Sequence, residues 1–207
     1  GFEQGALWIV DVNDGSKNFF QSNDMILVWG PTQNQFTFSR TNKLNSEKEY
    51  TEVIVLDLTS GEETKIYAVD RSFLVFGLSW SPSREQLALS MSRIGHDDAN
   101  IYILNVNSGQ LRQITKDGNS IYPVWSPTRD LIVYDKKTYN RDDALYSLQL
   151  IDPSGFCDIR LIAADYLLSP TWSPNGDLLA FIEPNADGIF TVNIQEFLDK
   201  NFLSQRC

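Results

Sequence analysis

Trp172-Ser173-Pro174 is the last of four tripeptides in which a tryptophan is followed by a small residue and a proline. The earlier three are Trp29-Gly30-Pro31, Trp80-Ser81-Pro82 and Trp125-Ser126-Pro127. The tryptophans lie 51, 45 and 47 residues apart, counted from 29 to 80, 80 to 125 and 125 to 172. A period of this length is typical of repeat proteins whose units stack on one another, and it favours the blades of a β-propeller.

A second feature keeps the same period. Glycines follow short polar turns at positions 15, 61, 109 and 155, with intervals of 46, 48 and 46 residues. Glycine suits a tight hairpin because it adopts a positive φ without steric penalty. Two unrelated signals therefore indicate one repeat.

The third unit predicts the four strands of a blade. Residues 121–125 form an apolar inner strand, and a proline-containing turn leads to a buried second strand at 131–134. Residues 145–150 alternate as a third strand, and a weaker outer strand follows around 158–162.

The repeat predicts an all-β fold, a β-propeller with four recognisable four-stranded blades in a single domain over residues 1–207. The predicted units are about 1–20 (partial), 25–68, 76–115, 121–163 and 168–194, with a tail at 195–207 whose apolar spacing favours a short helix. Five third-position strands accompany only four inner strands. A small ring completed by N-terminal strands, an open piece of a larger propeller, and strand exchange between two copies all stay open.

The stretch Pro170 to Phe181 resembles the repeat of TolB-type propellers, in which a Trp-Ser-Pro-Asp-Gly turn precedes an Ile-Ala-Phe-like strand. Asn175 stands where that family usually has aspartate. Ile101 to Thr115 is similar to the family's continuation through an Ile-Tyr strand to a Leu-Thr ending. The resemblance covers residues 6–194 and implies a propeller scaffold in a periplasmic or otherwise exported setting. The same blades also occur in prolyl-oligopeptidase-like enzymes.

Composition restricts the classes of partner. Seventeen Lys and Arg against 27 Asp and Glu give a net charge of −10, which disfavours nucleic acid as a partner. No apolar stretch approaches the roughly 20 residues that a membrane helix needs. The two cysteines, Cys157 and Cys207, form one disulfide or stay unpaired, and the sequence does not decide between these alternatives.

The sequence lacks the patterns of a catalytic or metal site. The single histidine, His96, fits a solvated loop, and no Gly-x-Ser-x-Gly elbow is present. The Asp11 to Ser22 segment does not have the spacing of a calcium-binding EF-hand loop. We therefore expect no catalytic residues, no cofactor and no bound metal, and the chain is predicted not to be an enzyme.

The connections between second and third strands are unusually acidic, and propeller geometry would bring them to the face that also carries the links between blades. The predicted acidic rim comprises Glu47, Glu49, Asp97, Asp98, Asp142, Asp143 and Asp187. Such a rim would attract a basic peptide or a cationic protein surface. The alternative is that these are solvated loops of an acidic protein.

Aromatic residues near the links between blades are candidates for partner contacts: Phe73, Phe76, Tyr122 and Tyr166. Each fits equally well as a cap on the core. The four repeated tryptophans are instead expected to pack between blades. The predicted function is a non-catalytic propeller that binds a protein or peptide through loops on one face. The alternative is the propeller domain of a larger enzyme such as a prolyl-oligopeptidase-like peptidase.

Overall fold

A computed structural model describes residues 6–10, 12–21, 26–45, 48–70, 72–96, 98–140, 143–164, 169–183 and 188–200. The chain divides into two compact units, Gly1–Arg71 and Ser72–Cys207. Both consist of antiparallel sheets whose strands are hydrogen-bonded in chain order. The all-β class and the four recognisable blades are confirmed, whereas the single domain over residues 1–207 stays a prediction.

The first unit contains a two-stranded sheet and one complete blade. The small sheet pairs β1 (Ala6–Val10) with β2 (Lys17–Gln21). Blade 1 has the order β3 (Leu27–Trp29), β4 (Gln35–Asn45), β5 (Lys48–Asp57) and β6 (Glu63–Ala68).

The second unit contains three blades. Blade 2 consists of β7 (Phe73–Trp80), β8 (Gln86–Arg93), β9 (Ala99–Asn105) and β10 (Leu111–Gln113). Blade 3 consists of β11 (Ser120–Trp125), β12 (Ile132–Asn140), β13 (Asp143–Ile151) and β14 (Asp158–Ala164). Blade 4 has three described strands, β15 (Thr171–Trp172), β16 (Leu178–Glu183) and β17 (Gly188–Asn193).

The C-terminal segment turns helical, as its apolar spacing predicts. Helix α1 (Ile194–Lys200) follows β17 directly and buries Ile194 and Leu198. These side chains join a core that also contains Val133 and Leu150 of blade 3 and Phe181 of blade 4. The helix therefore seals the core between the last two blades.

The repeated glycines occupy the left-handed conformation that the hairpin prediction requires. Gly61 and Gly109 have φ angles of 74° and 70°, and Gly155 has a φ of 79°. In each of these turns an Asp or Asn at the end of the third strand accepts hydrogen bonds from backbone N–H groups of the turn, as Asn105 Oδ1 does from Ser108 N at 2.9 Å. The glycine period thus marks the turn between third and fourth strands.

The small residue after each tryptophan closes the turn between first and second strands. The Ser173 hydroxyl accepts a hydrogen bond from Leu178 N at 3.0 Å, and Ser81 accepts one from Gln86 N at 3.1 Å. At Gly30 a Cβ atom would lie 2.7 Å from the Gln35 Cβ. Glycine replaces serine in blade 1 because the chain approaches itself too closely there for a side chain.

Two of the four repeated tryptophans, Trp125 and Trp172, pack between blades as expected, and Trp80 is buried. Trp80 and Trp125 are 7% and 4% exposed, and the half-buried Trp172 donates its indole N–H to Val124 O of blade 3. Trp29 is 59% exposed and stacks on Phe36 of its own blade at a centroid distance of 4.4 Å. The expectation of packing between blades is therefore wrong for Trp29.

Blades 2 and 3 are joined by hydrogen bonds along their height. The Ser79 hydroxyl accepts a bond from Trp125 N at 2.8 Å on the inner strands. Farther out, Arg112 Nη1 in β10 donates to Ser154 O, in the turn between β13 and β14, at 2.9 Å. Buried side chains of both blades, including Ile101 and Tyr134, fill the space between them.

Two further observations bear on the chemistry of the chain. Cys157 is buried and disulfide-bonded, whereas Cys207 lies outside the described residues. Within the part of the chain that the structure describes, no helix is both long and apolar enough to cross a membrane.

Candidate partner-binding face

The structure describes only part of the predicted rim. Four of its acidic residues and one of its aromatic residues lie outside the described residues, namely Glu47, Asp97, Asp142, Asp187 and Tyr166. Asp98 is described and exposed. The acidic rim as a whole stays a prediction.

The connections between second and third strands are longer hairpins than the sequence indicates. In blade 3 the pairing of β12 with β13 continues to Asn140 and Asp143. In blade 1 the pairing of β4 with β5 continues to Asn45 and Lys48. Glu49 and Asp143 are therefore strand residues near the ends of extended hairpins, where the sequence predicts loops.

Phe73 and Phe76 lie in the inner strand β7, and both are half-buried. The ring of Phe73 meets Tyr102 edge-on at 6.2 Å between centroids. The Arg93 guanidinium lies 5.8 Å from the centroid of the same ring. Burial raises the pKa of Tyr102, the positive charge of Arg93 lowers it, and the carboxylate of Asp98 raises it. These side chains form a partly solvated aromatic and charged cluster at the end of blade 2.

Tyr122 is the most unusual residue of the predicted set. Its side chain is 44% exposed, and its backbone φ is 53°, in the left-handed region that favours glycine. It lies in β11, where the register shifts between Ile121 and Val124. A non-glycine residue held in this conformation costs of order 1–3 kcal/mol, and such residues cluster at functional sites.

The equivalent position in neighbouring blades shows why the strand bends there. Tyr122 and Ser169 each precede a buried proline, and each lies three residues before the repeated tryptophan with a positive φ. In blade 2 this position is Gly77, where a Cβ would lie 3.0 Å from Pro123 Cδ of blade 3. Blades 2 and 3 therefore approach each other closely at this position.

A polar groove that the sequence did not reveal lies between blades 2 and 3. It encloses about 510 Å³ and is lined by Gln113 to Asp117 of one blade and by Ser154, Gly155 and Asp158 of the other. Beside it Lys136 Nζ lies 2.6 Å from Asp117 Oδ2. Its residues come from three separate elements, so no sequence motif identifies the groove.

Two carboxyl groups of this groove have opposite pKa shifts. Burial raises the pKa of Asp117, but hydrogen bonds from Lys136, Asn119 and Ser120 outweigh it, and the net pKa is lowered. For Asp158, burial dominates and the pKa is raised, although the buried Tyr134 hydroxyl donates to Asp158 Oδ1 at 2.8 Å. Burial, reinforced by the Asp158 charge, holds the pKa of the Tyr134 phenol well above its usual range.

The described residues contain no group of three or more His, Cys, Asp and Glu side chains that could hold a metal ion. The neighbouring Ser92 and His96 do not form a nucleophile and base pair. The Ser92 hydroxyl donates to the backbone carbonyl of His96 at 2.8 Å.

No family model matches the chain. A curated relative, the protein TolB homolog of Chlorobium chlorochromatii (strain CaD3), is 35% identical over 81 residues. That alignment covers 39% of this chain and 17% of the relative.

Solved structures share the fold. TolB from Acinetobacter baumannii matches 92% of this chain with a TM-score of 0.70 at 15% identity, and the match covers 46% of that protein. The tricorn protease matches 92% of this chain with a TM-score of 0.68 at 8% identity, over 23% of its own length. The chain thus spans less than half the length of these proteins.

Proposed function

Because the chain is a TolB-like β-propeller repeat protein, we propose that it is a non-catalytic module that binds a protein or peptide through its blade-linking face. Within the second unit, this face comprises the ends of the hairpins between second and third strands and the starts of the inner strands, with Asp98, Phe73 and Tyr122 among its described residues. The observation that carries the proposal is Tyr122, an exposed aromatic side chain near the start of an inner strand.

Charge supports a basic partner. The chain has a net charge of −10, and the described rim residues Asp98 and Asp143 lie beside and in the second-to-third hairpins of blades 2 and 3. The sequence places Asp97 and Asp142 next to them. Complementary charge speeds association and selects the partner more than it raises affinity. A partner in which a Lys- or Arg-rich segment flanks an apolar group would complement the acidic residues and would contact Tyr122.

The disulfide of Cys157 supports an exported location. Disulfides persist in the periplasm and outside the cell and are rare in the reducing cytosol. A periplasmic or extracellular setting is therefore part of the proposal.

The test starts from peptides selected on the folded chain from a randomised display library, whose affinities are then measured by calorimetry at several salt concentrations. We expect Lys- and Arg-containing peptides. Reversing the charge of Asp97, Asp98, Asp142 and Asp143 together weakens binding and flattens its salt dependence. Tyr122→Gly, which suits the positive φ, isolates the side chain and weakens binding about fivefold or more.

Glu85→Lys with Asp130→Lys is the matched control, because both residues are exposed and lie in the turns between first and second strands. This control should leave the affinity within about twofold. Equal binding by the rim variant and the wild type, with folding intact, would refute the proposal.

A second candidate function is the propeller part of a larger peptidase. The observation that favours it is the fold match with the tricorn protease, of which this chain spans 23%. The test is the full reading frame that contains these 207 residues, followed by labelling of its product with an active-site serine probe. A Gly-x-Ser-x-Gly-containing hydrolase domain that reacts with the probe supports this candidate.

A further inference from the structure

The polar groove between blades 2 and 3 has the size of a small-ligand site. Its volume of about 510 Å³ falls within the range of about 300–1,000 Å³ that is usual for ligand pockets. The two blades that form it are both four-stranded sheets, β7 to β10 and β11 to β14, and both belong to the second compact unit. The walls of the groove are therefore formed by two complete blades.

Hydrogen bonds fix the wall that blade 3 contributes. In the turn between β13 and β14, the Asp152 carboxylate accepts a bond from Phe156 N at 2.8 Å. Arg112 of blade 2 donates to Ser154 O of the same turn at 2.9 Å. A site whose shape is fixed before binding loses less conformational entropy when a ligand enters it.

The groove has a hydrogen-bond acceptor on one wall and donors on the other. The buried Tyr134 hydroxyl donates to Asp158 Oδ1 at 2.8 Å, which orients the exposed Asp158 carboxyl group. On the other wall, Gln113 Nε2 donates to Thr115 O at 2.8 Å, and Gln113 and Lys116 are both exposed. Ionised carboxylates accept hydrogen bonds, whereas amide NH₂ and ammonium groups donate them. A ligand in the groove therefore has to donate to one wall and accept from the other.

The charges of the groove cancel. Asp117 Oδ2 lies 2.6 Å from Lys136 Nζ, and the remaining charged residues of the lining, Lys116 and Asp158, have opposite signs. Because these four groups have no net charge at pH 7, their field favours neither a cationic nor an anionic ligand. A neutral ligand rich in hydroxyl groups fits this lining, since each hydroxyl both donates and accepts.

An exposed aromatic side chain lies beside the groove. Phe156 is 96% exposed, and it lies in the chain between the lining residues Gly155 and Asp158. An aromatic ring offers a large apolar contact surface at a low cost in conformational entropy. The faces of sugar rings carry C–H groups that can pack on such a ring, while their hydroxyl groups point outward from the ring edge.

We propose that the groove between blades 2 and 3 binds a neutral oligosaccharide. Hydroxyl groups of the sugar donate to Asp158 and accept from Gln113 or Lys116, and the C–H face of one sugar ring packs on Phe156. None of these residues is among those named for the blade-linking face. The inference therefore does not depend on the function proposed for that face.

The probes are three neutral trisaccharides, maltotriose, cellotriose and triacetylchitotriose, each titrated near pH 7 into the ¹⁵N-labelled chain and followed by NMR. We expect at least one of them to shift the amide signals of residues 113–117 and 154–158. Its affinity should stay within about twofold between about 50 and 500 mM salt, because salt does not screen a neutral ligand. Asp158→Asn removes the anionic acceptor and Phe156→Ala removes the packing surface, so each weakens binding about fivefold or more.

Asp130→Asn and Tyr122→Gly are the matched controls, because both residues are exposed and neither lines the groove. Both variants should bind the trisaccharide as the wild type does, and the result for Tyr122→Gly separates this inference from the proposal for the blade-linking face. Since Phe156 is 96% exposed, Phe156→Ala should keep the urea midpoint of the wild type, so that its weaker binding reports a lost contact.

Two results would overturn the inference. The first is the absence of shift changes with all three trisaccharides at about 10 mM, a concentration that detects even millimolar affinities. The second is tighter binding at the same residues by the capped tripeptide Gly-Arg-Gly, because the groove would then be a site for cations.

Discussion

The indole N–H of Trp172 donates to the carbonyl oxygen of Val124, 3.0 Å away in the preceding blade. The side chain of the repeat motif in one blade thus satisfies a backbone carbonyl of the blade before it. Because Val124 immediately precedes Trp125, the contact links two copies of the motif directly.

We expect Trp172→Phe to destabilise the second unit by about 1 kcal/mol, since an apolar ring is kept while the hydrogen bond is lost. Urea unfolding followed by far-UV circular dichroism measures the change. Trp29→Phe is the control, because Trp29 is 59% exposed. This variant should lose less unfolding free energy than Trp172→Phe. Equal losses for the two variants would contradict the role assigned to the indole bond.

The glycines of the turns between third and fourth strands allow a matched comparison. Gly109 and Gly155 have φ angles of 70° and 79°, so alanine strains both. At Gly155 the added Cβ would also lie 2.9 Å from Ile114 O of blade 2, whereas Gly109 has open space around it. Gly155→Ala should therefore lower the free energy of unfolding by about 1–3 kcal/mol more than Gly109→Ala.

Restoring the repeat consensus in blade 1 should be harmful. Gly30→Ser introduces the residue found in the other three motifs, but its Cβ would lie 2.7 Å from Gln35 Cβ and 2.8 Å from the Gln35 carbonyl carbon. We expect a loss of about 1–3 kcal/mol in the stability of the first unit. Thr32→Ser, in the same turn and exposed, serves as the control. A stabilising effect would show that the turn relaxes.

The ion pair of Asp117 and Lys136 predicts a pH-dependent effect. The pKa of Asp117 is lowered in the folded protein, so its contribution is present above the unfolded value of about 3.9 and is lost as pH falls through the folded pKa. Asp117→Asn should therefore destabilise the protein at pH 7, and the difference from wild type should shrink below about pH 4. Thermal melts across this range test it, with the exposed Asp130→Asn as control.

The repeat made most of the fold predictable. The tryptophan and glycine periods depend on local turn chemistry, which each copy of the motif carries, so the blade strands and hairpin turns follow from the sequence. The extended hairpin of β12 and β13 was not predictable, because Lys136 to Asn140 lack the apolar alternation that marks a half-buried strand.

The candidate sites were harder to predict from the sequence than the fold. The exposure of Trp29 depends on what packs beside its blade, which its own motif does not encode. The groove beside Asp117, Lys136 and Asp158 is assembled from three elements across two blades.

Hydrogen bonds join blades 2 and 3 at two separated places: between Ser79 and Trp125 on the inner strands, and between Arg112 of β10 and Ser154 in the turn that precedes β14. Two sheets that are held together at one edge can rotate about that edge. Hydrogen bonds at two separated places restrict this rotation. These blades therefore offer a partner a fixed platform. A partner that binds blades 2 and 3 must therefore either match their surface in its free form or change its own conformation on binding.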